Sequence, residues 1–207
     1  MIPAALRYLL PLGGMLLLST LLAGCESLPA SAPQLEPETY QQHLLDIEKI
    51  HSFELRGRIG VLTEKKGFSG LIRWHHHEDG DDIDLYSPLG TQLGKISSDA
   101  EGVTLTNSDQ KTYRATSVET LTEQTIGWIL PLSGLNDWAL GRPTTSAVER
   151  MTWDSAGRLA HLHQDGWDIE FPQYMEINGQ QLPAKITLKS TKLDLKLVVE
   201  SWQTDAD

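Results

Sequence analysis

One cysteine, seven histidines and a dense run of carboxylates are the side chains of this 207-residue chain that could do chemistry. His75-His76-His77 is the most conspicuous cluster. Neighbouring residues of a strand point to opposite faces, so at most His75 and His77 could share a metal ion. No nearby cysteine or third histidine completes a tetrahedral site, and a solvated strand end is the simpler reading. His161 and His163 share a strand face in the same way. Glu78, Asp79, Asp81, Asp82 and Asp84 lack the fixed offsets and closing glutamate of a calcium loop, and they read as a solvated hairpin turn. A glycosidase pair of carboxylates is defined by a three-dimensional separation, and nothing in the spacing points to one. The chain contains no G-x-S-x-G, no G-x-x-x-x-G-K-[ST] and no H-E-x-x-H. No catalytic set, no use of ATP and no cofactor or metal is therefore expected.

The single thiol, Cys25, has a different chemistry. Arg7 is the only charge ahead of it, and Leu9 to Leu22 is an apolar run too short for a convincing membrane span. A secretory signal normally ends in an A-x-A-like site. Here small Ala23 and Gly24 lead into a cysteine instead. Leu22-Ala23-Gly24-Cys25 resembles a bacterial lipobox, in which the sulfur takes a diacylglycerol and the freed amine takes a third acyl chain. Without a second cysteine an internal disulfide is impossible. At about 0.8 kcal/mol per buried methylene, two or three chains anchor a protein almost irreversibly. The expected organisation is a lipoprotein signal peptide over 1–24, a tether over 25–38 carrying Pro29, Pro33 and Pro37, and one domain over 39–207.

The net charge of −11 makes nucleic acid a poor partner and argues against electrostatic adhesion to anionic lipid. Any membrane contact beyond the lipid is therefore expected to be apolar.

Within the domain, Leu44, Leu45, Ile47 and Ile50 predict a short amphipathic helix over Thr39–Ile50. From Phe53 the period becomes two: Phe53, Leu55, Gly57, Ile59 and Val61 alternate with charged or small residues, as in a half-buried antiparallel strand. Further strands are expected over 68–76, 82–87, 91–97, 102–106 and 111–115. Thr116-Ser117-Val118-Glu119 has capping-box spacing, with Thr116 as N-cap. The helix it opens is expected to carry Val118, Leu121, Thr125, Trp128 and Ile129, and to stop at Pro131. Ser133 would cap a second short helix through Leu140, ended by Gly141. Alternation at Met151/Trp153, Trp167/Ile169/Phe171, Ile186/Leu188 and Leu193 to Val199 restores strands. About eleven short strands with helices at the start and middle predict a mainly β fold. The expected form is one curved antiparallel sheet, an unclosed β-barrel with a helical lid.

Two features fit a plain core poorly. In Tyr86-Ser87-Pro88-Leu89-Gly90-Thr91, Ser at i, Pro at i+1 and Gly at i+3 suit a type I turn, which places Leu89 at the tip. An apolar tip is a candidate contact for a membrane or a partner, unless it folds back onto its own hairpin. The second feature is six tryptophans. In a solid core their N–H groups need partners, whereas around a cavity they supply apolar walls.

Taken together, these segments resemble the LolB family of outer-membrane lipoproteins. The resemblance is carried by the lipobox, Leu55-Arg56-Gly57-Arg58-Ile59-Gly60, Ser87-Pro88-Leu89-Gly90-Thr91 and Ile129-Leu130-Pro131-Leu132. It continues through Leu135-Asn136-Asp137-Trp138-Ala139-Leu140-Gly141-Arg142-Pro143, Gly166-Trp167, and Leu182-Pro183 ahead of the last strand. It implies an unclosed barrel whose hydrophobic cavity, under a helical lid, receives the acyl chains of client lipoproteins handed over by a LolA-like periplasmic carrier. It implies a monomer, lipid-anchored to the inner leaflet of the outer membrane and facing the periplasm. Insertion of clients would need no ATP. The protruding loop of the family, matched by Pro88, Leu89 and Gly90, would serve membrane insertion. Ile59, Trp74, Leu85, Trp128, Ile129, Leu132, Trp138 and Trp153 are the expected cavity residues. The alternative is an envelope lipoprotein with a lipid-binding or scaffold role and no transfer activity.

Overall fold

The structure is a computed structural model that describes residues 37–205. The expected leader, Cys25 and the tether up to residue 36 lie outside the described residues.

The elements run α1 (Glu38–Ile47), β1 (Phe53–Thr63), β2 (Gly67–His77), β3 (Gly80–Tyr86), β4 (Gln92–Asp99), β5 (Gly102–Asn107) and β6 (Thr112–Ala115). Then come α2 (Val118–Thr125), α3 (Leu132–Ala139), β7 (Val148–Trp153), β8 (Leu159–Gln164), β9 (Trp167–Ile177), β10 (Gln180–Lys189) and β11 (Leu193–Thr204). The strands form one antiparallel sheet in the order β6-β5-β4-β3-β2-β1-β11-β10-β9-β8-β7. First and last strands meet in the middle, and β6 and β7 are the two free edges. The sheet is therefore unclosed, and the helices connecting those edges cover its apolar face, as expected. Alternation makes that face: Phe53, Leu55, Ile59 and Val61 of β1 are buried while Arg56 and Arg58 are exposed.

Gly57 marks a bulge between β1 and β11, where Glu200 is the extra residue. A Cβ at this position would collide with the Val198 carbonyl, so only glycine lets the two backbones approach this closely.

The helices depart from expectation in register. α1 begins one residue before Thr39 and ends at Ile47, with Ile50 still buried beyond it. The N-cap of α2 is Ser117, not Thr116: Ser117 is extended, and its Oγ accepts the Thr120 N–H at 3.2 Å. Glu119 does not close a capping box. Its carboxylate accepts the Ser133 N–H at 3.0 Å, at the start of α3. α2 also stops at Thr125, leaving Trp128 and Ile129 in the connecting segment. Gly127 takes φ +82° there, and its N–H turns back to the Thr122 carbonyl. α3 starts one residue before Ser133 and ends, as expected, at a left-handed Gly141 (φ +79°).

Candidate functional site

The antiparallel order brings the 63–67, 87–91 and 107–111 turns to one end of the sheet. An apolar cavity of about 230 Å³ opens there, between the sheet and the chain that follows α2. Its walls are the last inward residues of the strands: Val61, Phe68, Leu85, Ile96 and Leu105. Ile126 and Trp128 roof it. Trp128 stacks on Phe68 with ring centroids 6.0 Å apart. Trp128 also lines a neighbouring cleft of about 380 Å³, which shares Ile129 and Leu193 with another of about 500 Å³.

The 87–91 loop joins the two strands that bring Leu85 and Leu93 to this cavity, while its Gly90 lines a separate cleft with Arg56, Leu71 and Arg73. The Gly90 N–H donates to the Ser87 carbonyl at 2.8 Å and closes the turn, while the Ser87 Oγ accepts the Thr91 N–H at 3.1 Å. Leu89 at the tip is 95% exposed. Tyr86 pairs with Gln92 and Leu85 with Gly94, so Leu93 is a bulge residue whose side chain reaches the cavity. The protruding loop is thus bracketed by two cavity-lining leucines, Leu85 and Leu93.

The eight residues expected in the cavity are distributed. Leu85 and Trp128 line it, and Ile129 and Trp138 line the adjoining 500 Å³ cleft. Ile59, Trp74 and Leu132 lie in the core below. Trp153 is half-buried against Tyr40 of α1, with centroids 5.6 Å apart. Three tryptophans satisfy their N–H groups as core residues should: Trp74 on Asp81 (2.7 Å), Trp138 on Gln164 (3.0 Å) and Trp202 on the Pro183 carbonyl (3.1 Å). Val61, Phe68, Leu93, Ile96, Leu105 and Ile126 were not among the expected lining residues. For Val61, Phe68, Ile96 and Leu105 the signal is inward alternation combined with nearness to the turns of one end, whereas Leu93 enters through its bulge and Ile126 through the end of α2.

At the far end Asp81 leaves the solvated hairpin expected of it. It is 5% exposed and accepts from Trp74, the Ser98 hydroxyl and Asn136 of α3 (3.4 Å), with the His76 ring 2.8 Å away. This network fastens α3 to the sheet away from the cavity. Under α1, burial and the Arg158 charge hold the His43 pKa below its usual 6.5, and burial pushes the Tyr174 phenol well up.

The sequence profile described as Outer membrane lipoprotein LolB matches residues 51–202. The chain belongs to this family. A relative described as outer-membrane lipoprotein LolB from Pseudomonas putida is 35% identical over 189 residues, covering 90% of this chain and 92% of its own. One of the same description from Pseudomonas paraeruginosa is 35% identical over 186 residues, covering 88% and 91%. Among solved structures, a DUF1329 family protein from Desulfovibrio piger shares the fold at a TM-score of 0.50 and 8% identity, over 81% of this chain and 92% of its own. A LolA superfamily protein from Nitrosomonas europaea has a TM-score of 0.47 at 11% identity. The LolB match runs from two residues before β1 to two residues before the end of β11, and so includes the 87–91 loop, α2 and α3.

Proposed function

We propose that this LolB-family protein accepts lipoproteins from a soluble periplasmic carrier, shelters their acyl chains in the apolar cavity, and releases them into the outer membrane without ATP. The single observation that supports the reading is that the exposed Leu89 protrudes from the loop between two cavity-lining leucines, Leu85 and Leu93. A container for acyl chains and an apolar probe for the bilayer belong at the same end if the cargo is to pass from one to the other.

The energetics favour such a container. Each methylene held in water costs about 0.8 kcal/mol, so a triacylated cargo needs an apolar host at every stage. Direction then comes from affinity: weak in the carrier, tighter here, tightest in the bilayer. Leu89 entering lipid contributes roughly 1.5–3 kcal/mol. That is too little to anchor the protein and enough to hold the cavity mouth against the membrane during release. Permanent attachment falls to Cys25, which takes a diacylglycerol on its sulfur and a third acyl chain on the amine freed when residues 1–24 are removed, and which the 25–38 tether joins to a monomeric domain.

The cavity must enlarge to do this. Its 230 Å³ is below the ~300–1,000 Å³ of sites that hold a drug-sized molecule, and three acyl chains are larger still. The lid is suited to opening. An eight-residue helix is marginal without its packing, and Thr122 and Thr125 of α2 bond back to the carbonyls four residues earlier, which weakens it further. Swinging α2 and Trp128 outward merges the cavity with the clefts beyond.

The test is binding of a fluorescent fatty-acid probe to the soluble domain. Trp128→Ala removes the roof and is expected to weaken binding about tenfold or more, from roughly 1.5–3 kcal/mol of lost apolar contact. Unchanged probe affinity, or no binding by the parent domain, would count against the cavity as the acyl-chain site.

A further inference from the structure

The apolar cavity has a single charged side chain among its lining residues, Lys66, and no carboxylate. Lys66 stands one residue ahead of β2, on the side that Phe68 presents inward. The β1–β2 turn fixes its backbone. The Thr63 N–H donates to the Lys66 carbonyl at 2.8 Å, and the Lys66 N–H donates to the Thr63 Oγ1 at 3.0 Å. The Lys66 Nζ lies beside the roof segment between Ile126 and Trp128, where a Cβ added to Gly127 would sit 3.7 Å from it. Lys49, Lys95 and Lys189 pair with carboxylates, whereas no ion pair or hydrogen bond engages the Lys66 ammonium among the described residues. Two further lining residues carry polar side chains, and both serve their own turns. The Thr63 hydroxyl donates to the Lys66 carbonyl at 3.0 Å, and the Asn107 Oδ1 accepts the Asp109 and Lys111 N–H groups. Thr63, Lys66 and Trp128 also line the 380 Å³ cleft, so the ammonium stands where the apolar cavity meets a polar space. In that cleft Glu64 and Glu123 face Lys65, Lys66 and Lys192.

We propose that Lys66 binds the head of the cargo, its ammonium donating to the ester and amide carbonyls that join the acyl chains to the acylated cysteine. The inference rests on the reading of the cavity as the acyl-chain site and names the group that sets how deep the chains go. A diacylglycerol on sulfur brings two ester carbonyls, and the acylated amine brings an amide. The head of such a cargo is therefore uncharged and rich in acceptors. Carrying those carbonyls from water into an apolar chamber without a donor is unfavourable. A lysine ammonium offers three donors and no acceptor, and its stem can lie along apolar surface. Chains then run inward past Phe68 toward Ile96 and Leu105, and the carbonyls stop at Lys66. A carboxylate or phosphate head fits less well, because Glu64 and Glu123 face the same cleft and repel it. At an exposed mouth the preference for a carbonyl-bearing head is expected to be about fivefold, the size of one net hydrogen bond.

The domain can be tested alone, because its buried cluster lies between Tyr40 and Trp202. The chain without its leader, carrying Cys25→Ala, is loaded with the neutral dye N-phenylnaphthylamine. Displacement is measured with two synthetic S-glyceryl-cysteine lipopeptides of equal chain length, short enough to stay monomeric. One has ester-linked chains, and the other has ether-linked chains that keep the hydrocarbon and lose the carbonyls. The parent is expected to bind the ester form about fivefold more tightly. Lys66→Met, which keeps an unbranched apolar stem, should bind both forms equally, at the parent affinity for the ether. Lys66→Arg should restore the preference, and Lys65→Met, whose side chain lines only the cleft, should leave it intact. Phosphatidylcholine of the same chain length shares the esters but carries a phosphate, and it should displace the dye less well than the ester lipopeptide. Equal binding of ester and ether by the parent would overturn the proposal and leave the acyl-chain cavity standing, whereas binding of neither would remove both. A Lys66→Met variant that keeps the full preference would also overturn it, as would equal loss in Lys65→Met, which would assign the effect to the general charge of the cleft. Equal displacement by phosphatidylcholine would make this a site for membrane lipid and not for cargo.

Discussion

Leu89 owes its exposure to backbone geometry. Ser87, Pro88 and Gly90 are the residues a tight turn selects, and the Gly90-to-Ser87 hydrogen bond closes that turn with Leu89 exposed at its tip. That much is local, and it is legible in six consecutive residues. The tryptophans are not legible in the same way. Alternation places Trp74 and Leu85 on one face, but it does not say how far along the barrel each lies. Height decides their roles: Trp74 ends in the core on Asp81, and Leu85 ends at the cavity mouth. Gly57 shows a second constraint that depends on a distant partner. Gly57→Ala pushes a methyl into the Val198 carbonyl and should destabilise the domain by about 1–3 kcal/mol in denaturant unfolding. A loss below half a kcal/mol would mean that β11 moves aside freely.

At the level of elements, strand positions followed from period-two alternation, and helix ends did not follow as well. Thr116 and Ser117 are both competent caps. The choice went to Ser117, whose hydroxyl reaches Thr120, while Glu119 turned to the next helix instead. Trp128 and Ile129 keep helical spacing with α2, yet Gly127 breaks the helix first. α1 makes a prediction of its own. His43 is held below its usual 6.5 by burial and Arg158, so as pH falls the unfolded chain takes up the proton before the folded one. The stability tied to neutral His43 is present above about pH 6.5 and is lost as pH falls toward the lower folded value. Melting temperature should therefore drop between pH 6.5 and 5, and His43→Gln should flatten that drop. An equal slope in the variant would place the acid sensitivity elsewhere.

For the whole molecule, topology decides what lies together: the alternating turns of the antiparallel sheet bring the Leu89 loop and the cavity to one end, which composition alone does not state. The same topology makes anchor and machinery separable: Cys25→Ala should release the protein from the membrane fraction while the domain keeps its probe affinity. Loss of both would mean that the N-terminal segment takes part in the cavity. The central claim is that one end of the sheet both shelters acyl chains and delivers them. Its most direct measurement follows a lipoprotein from loaded carrier to receptor to vesicle, comparing the parent protein with Leu89→Glu. The variant is predicted to accept the cargo from the carrier at the parent level and to fail to pass it to the vesicle. Delivery at the parent rate by Leu89→Glu would contradict the account.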